Sequence, residues 1–441
     1  MHFLILRRQR TPLISVLRAL AVCLAFFLSA HNVLGVSAKS GVELPFSLDS
    51  LISDWDFTNP DKQWSAHDSS SNLSTAADWS VKPGEIPDYV IKYAPTVHLY
   101  SEEVYLPGDW RDFVSHMHPV QRGKNITDNI NFPMTIYDVG RLPRDEDVFL
   151  TCLTDFDVDP DWITGRGNIP DLETGRIANA TAILIVFDKG DGWVDSFWFY
   201  FYAFNLGPFV MGGGPYGNHI GDWEHSILRF YNGEPHSLWM SAHGGGSGFK
   251  FSALEKVENN PDRPVIFSAR GTHANYGTAG QHSHDLPFRM LSDFTDRGPL
   301  WDPAKNYAAY TYDGTLVCGE GDNTSVNAEW LYFPGHWGDD KLPPDDPRQH
   351  FHPFEWKYIE GPTGPLWKHL DRSVVCQQPK WYNYLGTCTV RRTLEWGEGV
   401  ESEGYGCAGI LDHVWPEFMG PFVRFLFWGG WLCNFVDWMW G

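Results

Sequence analysis

Between residues 181 and 204 the chain reads TAILIVFDK and then VDSFWFYFYAF, two apolar runs parted by GDGW (190–193). β-Branched and aromatic residues fill nearly every position, and the Gly-Asp-Gly break between such runs is a hairpin signal. Strands that are apolar on both faces belong in a sheet covered on both sides. The hairpin is therefore predicted at the centre of a sheet and not at its edge. Three later strands share one plan. HSILRF (225–230) follows a polar cluster, SLWMSA (237–242) runs into HGGGSG, and PVIFSARG (264–271) runs into THANYGTAGQHSH. Each sets His-bearing polar residues at one strand end, beside glycines that let backbone approach closely. An extended pattern also opens at DYVIKYAPTVHLYSEEVYLPGDW (88–110). Connections of this length suit antiparallel neighbours. The expectation is a mainly β protein whose core is an antiparallel β-sandwich with long loops.

The two ends of the chain read differently. Arg7, Arg8, Arg10 and Arg18 lead into the apolar run ALAVCLAFFLSA (19–30), followed by small residues suited to cleavage. Residues 1–38 are expected to be a signal peptide, with an uncleaved anchor as the alternative. Residues 39–88, with the tract AHDSSSNLSTAADWS (66–80), read as a polar, partly disordered and glycosylated leader. Residues 89–370 would form the β-sandwich domain and 371–441 a Cys-rich, aromatic C-terminal region. Asn72, Asn125, Asn179 and Asn323 each begin an N-x-S/T sequon. Once Cys23 leaves with the signal, Cys152, Cys318, Cys376, Cys388, Cys407 and Cys433 remain, an even set expected to pair as disulfides and to staple the C-terminal region. These features place the protein in the secretory pathway, in a vacuolar or endomembrane lumen or secreted. A formal charge of −22 argues against nucleic acid, which needs a basic surface.

The polar cluster ahead of HSILRF is GNHIGDWE (217–224). Alternate side chains of a strand share a face, so Asp222 and Glu224 point together, and Leu228 and Phe230 continue that face into apolar surroundings. Trp223, His225 and Ile227 take the other side. Two adjacent carboxylates on a half-buried face stay ionised only if a cation or donors compensate them; otherwise one is protonated. Hard cations such as Ca²⁺, Mg²⁺ or Mn²⁺ suit such a pair; adding His219 and His243 shifts the preference towards Mn²⁺ or Zn²⁺, with Zn²⁺ the lesser expectation. The alternative is a structural network in which these groups pair with each other, with Arg229 or with backbone amides.

The blocks YAPTVHLYSEEVYLPGDW, GDGWVDSFWFYFYAFNLG, GNHIGDWEHSILRF, SAHGGGSGF, ARGTHANY, DRGPLWDPAKN, GHWGDD and GPTGP, spread over residues 90–370, resemble the fungal vacuolar protein sorting-associated protein 62 family. That resemblance implies a role in delivering proteins to the vacuole and names no chemistry. Locally, NHIGDWE is similar to the GHRHDWE heptapeptide of the necrosis-inducing cytolysins, whose β-sandwich holds a divalent cation at a strand end. His219, Asp222, Trp223 and Glu224 match, whereas Asn218 replaces Gly and Gly221 replaces the second His. The later His-bearing segments bring in His243 and His273. The position of the cytolysins' upstream acidic ligand falls near Met211. The resemblance implies a divalent cation held by His219, Asp222, Glu224, His243 and His273.

Other motifs carry less. DFDVDPDW (155–162) spaces four Asp at alternate positions but lacks the Gly and the Glu of an EF-hand loop, so it is expected to be a solvated acidic loop. No P-loop, Rossmann fingerprint, HEXXH or G-x-S-x-G is present. The C-terminal WPEFMGPFVRFLFWGGWLCNFVDWMWG is either a packed terminal segment or a peripheral membrane contact. The expected function is a secretory-pathway binding protein that engages sorting cargo or a membrane surface. A metal-dependent hydrolase and a secreted lipid- or glycan-binding cytolysin relative are the alternatives.

Overall fold

Why the aromatic runs pair as they do is visible in a computed structural model, which describes residues 79–209, 214–283, 291–318, 328–351, 355–377, 390–392 and 394. The signal segment 1–38, most of the leader, Asn72, Asn323, Cys388, Cys407, Cys433 and the aromatic C-terminus lie outside the described residues. In chain order the first strands are β1 (Thr96–His98), β2 (Met117–Gln121), β3 (Lys124–Asn125), β4 (Val148–Cys152), β5 (Ala182–Gly190), β6 (Trp193–Asn205), β7 (His219–Tyr231), β8 (Glu234–Ala242) and β9 (Gly245–Lys250). The remainder are β10 (Lys256–Val257), β11 (Asn260–Ser268), β12 (Asn275–Tyr276), β13 (Gly280–Ser283), β14 (Ser292–Thr295), β15 (Leu300–Trp301), β16 (Tyr307–Tyr312), β17 (Leu316–Cys318) and β18 (Val390–Arg391).

The larger sheet has eight strands in the order β17-β16-β5-β6-β7-β8-β9-β18, so the predicted hairpin β5–β6 lies well inside it. A smaller sheet runs β10-β11-β1-β15, with β12 added to β11. The two sheets share one core, in which Val97, Ile266 and Trp301 meet Leu184, Trp198, Tyr200, Leu228, Leu238 and Met240. The other face of the larger sheet presents Phe197, Phe199, Phe201, Trp223, Ile227 and Trp239 to Trp110, Phe113, Trp330 and Trp337. Both faces are thus dry, which is what the unbroken apolar sequence of β5 and β6 requires.

Two expectations need correction. Pairing is not antiparallel throughout: β1 lies parallel to β11, β16 to β5 and β18 to β9. Each of these pairs joins segments far apart in sequence, and a long connection is what parallel pairing demands. The extended pattern expected from Asp88 starts instead as a short helix, Asp88–Lys92, between Pro87 and Pro95. Proline at a helix entrance and beyond its end favours a confined turn of this kind. The end of the leader is also docked. Val81 N–H donates to Asp188 at 2.9 Å, Gly84 N–H donates to Thr311 Oγ1 at 2.8 Å, and Trp79 packs edge-on to Tyr89.

The acidic string 155–162 is likewise more than a solvated loop. Asp155 caps a 3-10 turn over Phe156–Val158. Asp157 accepts from the Tyr358 hydroxyl at 2.7 Å, and Asp159 from the Tyr105 hydroxyl at 3.2 Å. The pairing of all six cysteines does not hold either, because Cys152 carries a free thiol. Burial, with Asp339 alongside, pushes that thiol far above its ordinary range. Deep in the larger sheet, Arg229 forms a two-pronged ion pair with Asp195 at 2.7 and 2.8 Å.

Candidate functional site

β7 carries His219, Asp222, Glu224 and His225 within its first seven residues. Asp222 and Glu224 are 5% and 8% exposed and lie opposite Tyr202 and Tyr200 of β6. His225 faces the other way, between the rings of Phe199 and Trp239. Burial there holds its imidazole well below the usual range.

His273 arrives from the turn after β11. Its backbone φ of 55° turns a fully buried ring into the site, flat against Tyr202 with centroids 3.7 Å apart. Nδ1 lies 3.0 Å from Asp222 Oδ2, and Nε2 lies 3.0 Å from the Tyr105 carbonyl oxygen. Both ring nitrogens thus face acceptors. Glu224 is handled differently. The Ser241 hydroxyl donates to its Oε2, and Ser241 Oγ accepts from the His225 N–H at 2.8 Å. Burial first, and the charge of Asp222 second, push the Glu224 carboxyl well above the ordinary range.

The remaining expected residues take separate places. His219 Nδ1 lies 2.6 Å from the Gly221 carbonyl oxygen, and burial lowers its affinity for a proton despite nearby Asp222. His243 points to Asp293, Nε2 to Oδ2 2.6 Å, in an adjoining network. There Asp293 also accepts from the Tyr276 hydroxyl at 2.7 Å and the Thr272 hydroxyl at 2.9 Å. The structure thus gathers Asp222, Glu224, His273 and His219, while His243 meets Asp293, whose charge acts on Glu224.

Sequence reasoning missed Ser241, Asp293 and Lys368. Lys368 is the positive side chain acted on by both Glu224 and Asp222. Ser241 stands in SAHGGG and Asp293 in SDFT, and neither run has a spacing that points to β7.

A divalent ion would have to use what these contacts leave. Both nitrogens of His273 and Nε2 of His243 are engaged, and Glu224 shares Oε2 with Ser241. Among the described residues no three or more His, Cys, Asp or Glu side chains stand together in an arrangement that holds a metal ion.

Comparison with known proteins gives the site a family. The family model described as vacuolar protein sorting-associated protein 62 matches residues 172–341, which contain β5 to β16 and the site on β7. Vacuolar protein sorting-associated protein 62 of Saccharomyces cerevisiae is 46% identical over 390 residues, covering 81% of this chain and 83% of its own. A second protein of that yeast, the putative vacuolar protein sorting-associated protein TDA6, is 47% identical over 394 residues, covering 80% and 83%. Among solved structures, the necrosis and ethylene inducing protein 2 from the causal agent of cocoa's witches' broom disease aligns at 12% identity. That alignment covers 48% of this chain and 76% of that one, with a TM-score of 0.22. NLPPya in complex with mannosamine aligns at 11% identity over 54% and 80%, with a TM-score of 0.24. By its identity to two yeast proteins over most of their length, the chain belongs to the vacuolar protein sorting-associated protein 62 family.

Proposed function

We propose that this protein serves the sorting or delivery of proteins to the vacuole, working in the secretory pathway as a binding component rather than as a catalyst. The observation that carries the reading is the 46% identity, over four fifths of both chains, to a yeast protein named for vacuolar protein sorting. Binding is favoured over turnover because the polar atoms of the site are already committed to one another. His273 is held at both nitrogens, His243 by Asp293 and Glu224 by Ser241. Sorting cargo or a membrane surface is the proposed partner. Among the described residues no helix is long and apolar enough to cross a membrane. A divalent cation at Asp222 and Glu224 is the finer form of this proposal. Their shared face supports it, and the positive charge of Lys368 in the same field counts against it.

The test is made in Saccharomyces cerevisiae lacking both relatives. The fraction of a vacuolar hydrolase that escapes into the medium is measured with and without this chain. Restored retention is expected. Escape that persists while the chain is made and enters the secretory pathway would overturn the reading.

A further inference from the structure

The turn that follows β11 is a meeting point for three segments far apart in sequence. Gly271 N–H donates to Glu103 Oε2 at 2.8 Å, and Leu206 N–H donates to the Gly271 carbonyl at 2.8 Å. Arg270 N–H donates to the Phe294 carbonyl at 2.9 Å. Each segment exposes a large apolar side chain within a few residues of this junction. The Glu103 side chain is almost wholly covered, whereas Val104 beside it is 44% exposed. In β14, Asp293 and Thr295 are buried while Phe294 between them is 48% exposed. Phe209, three residues beyond Leu206, is 62% exposed. The backbone that presents Phe209 is held, since Tyr216 N–H donates to the Pro208 carbonyl at 3.2 Å. Arg270 is exposed as well, with its guanidinium 5.9 Å from the centre of the Tyr100 ring. A single exposed apolar residue needs no explanation, but three on segments that meet at one junction do.

We propose that this end of the sandwich is a docking surface for a zwitterionic lipid bilayer, entered by Val104, Phe209 and Phe294 with Arg270 among the headgroups. The occupant follows from shape and charge. The three side chains stand on separate segments, and lipid closes round individual apolar groups, whereas a protein partner must match a surface in shape. An arginine can lay its stem along apolar surface and keep its charged head in water. A formal charge of −22 repels an anionic surface, so a bilayer without net charge fits best. The turn that carries Arg270 also carries His273, so the docked end is the one that holds the β7 site. The proposal deepens the membrane-surface form of the sorting role and rests on it.

The protein purified from a secretory host is floated with phosphatidylcholine vesicles, with and without added phosphatidylserine. Wild type is expected to float with the neutral vesicles, and less so at low salt once phosphatidylserine is present. The double variant Phe209→Ser/Phe294→Ser should partition into neutral vesicles roughly tenfold more weakly. Its near-UV circular dichroism and melting midpoint should match wild type, because both side chains are exposed. Leu172→Ser, at a leucine that is 97% exposed and outside the three segments, should bind like wild type. A wild type that ignores neutral vesicles overturns the proposal, and so does flotation with phosphatidylserine vesicles alone. A double variant that floats like wild type would assign the contact to another part of the chain and overturns it too. So does a Leu172→Ser variant that loses as much as the double one, since any exposed apolar residue would then serve. Restored retention in yeast without vesicle binding would sink the docking surface and leave the sorting role standing.

Discussion

Asn125 and Asn179, the sequons within the described residues, differ in what surrounds the threonine that completes each one. Asn125 lies in β3 and is exposed, as is Thr127. Asn179 is exposed too, but Thr181 is buried. Its hydroxyl donates to Asp109 Oδ2 at 3.0 Å and accepts from Arg111 Nη2 at 2.6 Å. An enzyme that must reach the asparagine amide and the threonine hydroxyl together can modify Asn125 on the folded chain. It can reach Asn179 only before Thr181 packs. Made in a secretory host, the protein is expected to shift on a gel after N-glycanase treatment. Asn125→Gln should remove one full step of that shift, and Asn179→Gln a fractional one. Equal, complete occupancy of the two sites would show that packing of Thr181 does not limit the reaction, and an unshifted band would remove the lumenal placement altogether.

At the scale of the element, β7 shows how far alternation can be read and where it stops. Leu228 and Phe230, on the face read for Asp222 and Glu224, do enter the core shared by the two sheets, while Trp223 and Ile227 enter the other. Yet Ile220 joins Trp223 in that second core, although the two are three positions apart. The alternation breaks at Gly221, whose φ is +67°. This break brings His219 into the field of Asp222 and His273. A Cβ at Gly221 would run into the Trp337 carbonyl oxygen. Gly217 has a similar φ, +78°, but nothing within 4 Å of the Cβ position. Gly217→Ala should therefore cost only backbone strain, about 1 kcal/mol, whereas Gly221→Ala adds a clash with backbone and should cost at least about 3 kcal/mol in urea unfolding. Equal losses would mean that Trp337 yields easily and the clash is no constraint. The same contrast marks what was legible in sequence. The β5–β6 hairpin and the shared face of Asp222 and Glu224 follow from local period, which the sequence displays directly. Ser241, Asp293 and Lys368 reach the site from other segments, and their roles depend on tertiary placement that no local spacing encodes. The helix at Asp88–Lys92 escaped for a related reason, since its apolar residues fit either period and the flanking prolines decided the outcome.

Across the whole molecule the aromatic content of 15% becomes a reservoir of buried phenols. Tyr200, Tyr202 and Tyr310 are fully covered, and Tyr105 and Tyr358 nearly so. Burial raises each of their hydroxyls well beyond the ordinary range. Tyr89, whose buried hydroxyl has no hydrogen-bond partner among the described residues, is pushed up to about 12 by burial and then by Asp188. Their unfolded value is 10.0, so the folded values are the higher ones. The unfolded chain gives up these protons above pH 10 while the folded chain keeps them. The stability they contribute is whole below pH 10 and is lost as pH rises through the folded values. Each phenolate released also adds to a net charge already at −22, which repels the compact state further. A spectroscopic titration should therefore divide the 18 tyrosines in two. The exposed ones ionise reversibly near pH 10, and the buried ones appear only in a later, cooperative step that coincides with loss of near-UV circular dichroism. Tyr200→Phe removes one such group together with its 2.8 Å hydrogen bond to Ser226, and should move the cooperative step to higher pH. If all the phenols titrate together near pH 10 while the near-UV signal persists, the core is open to hydroxide and burial does not govern these groups.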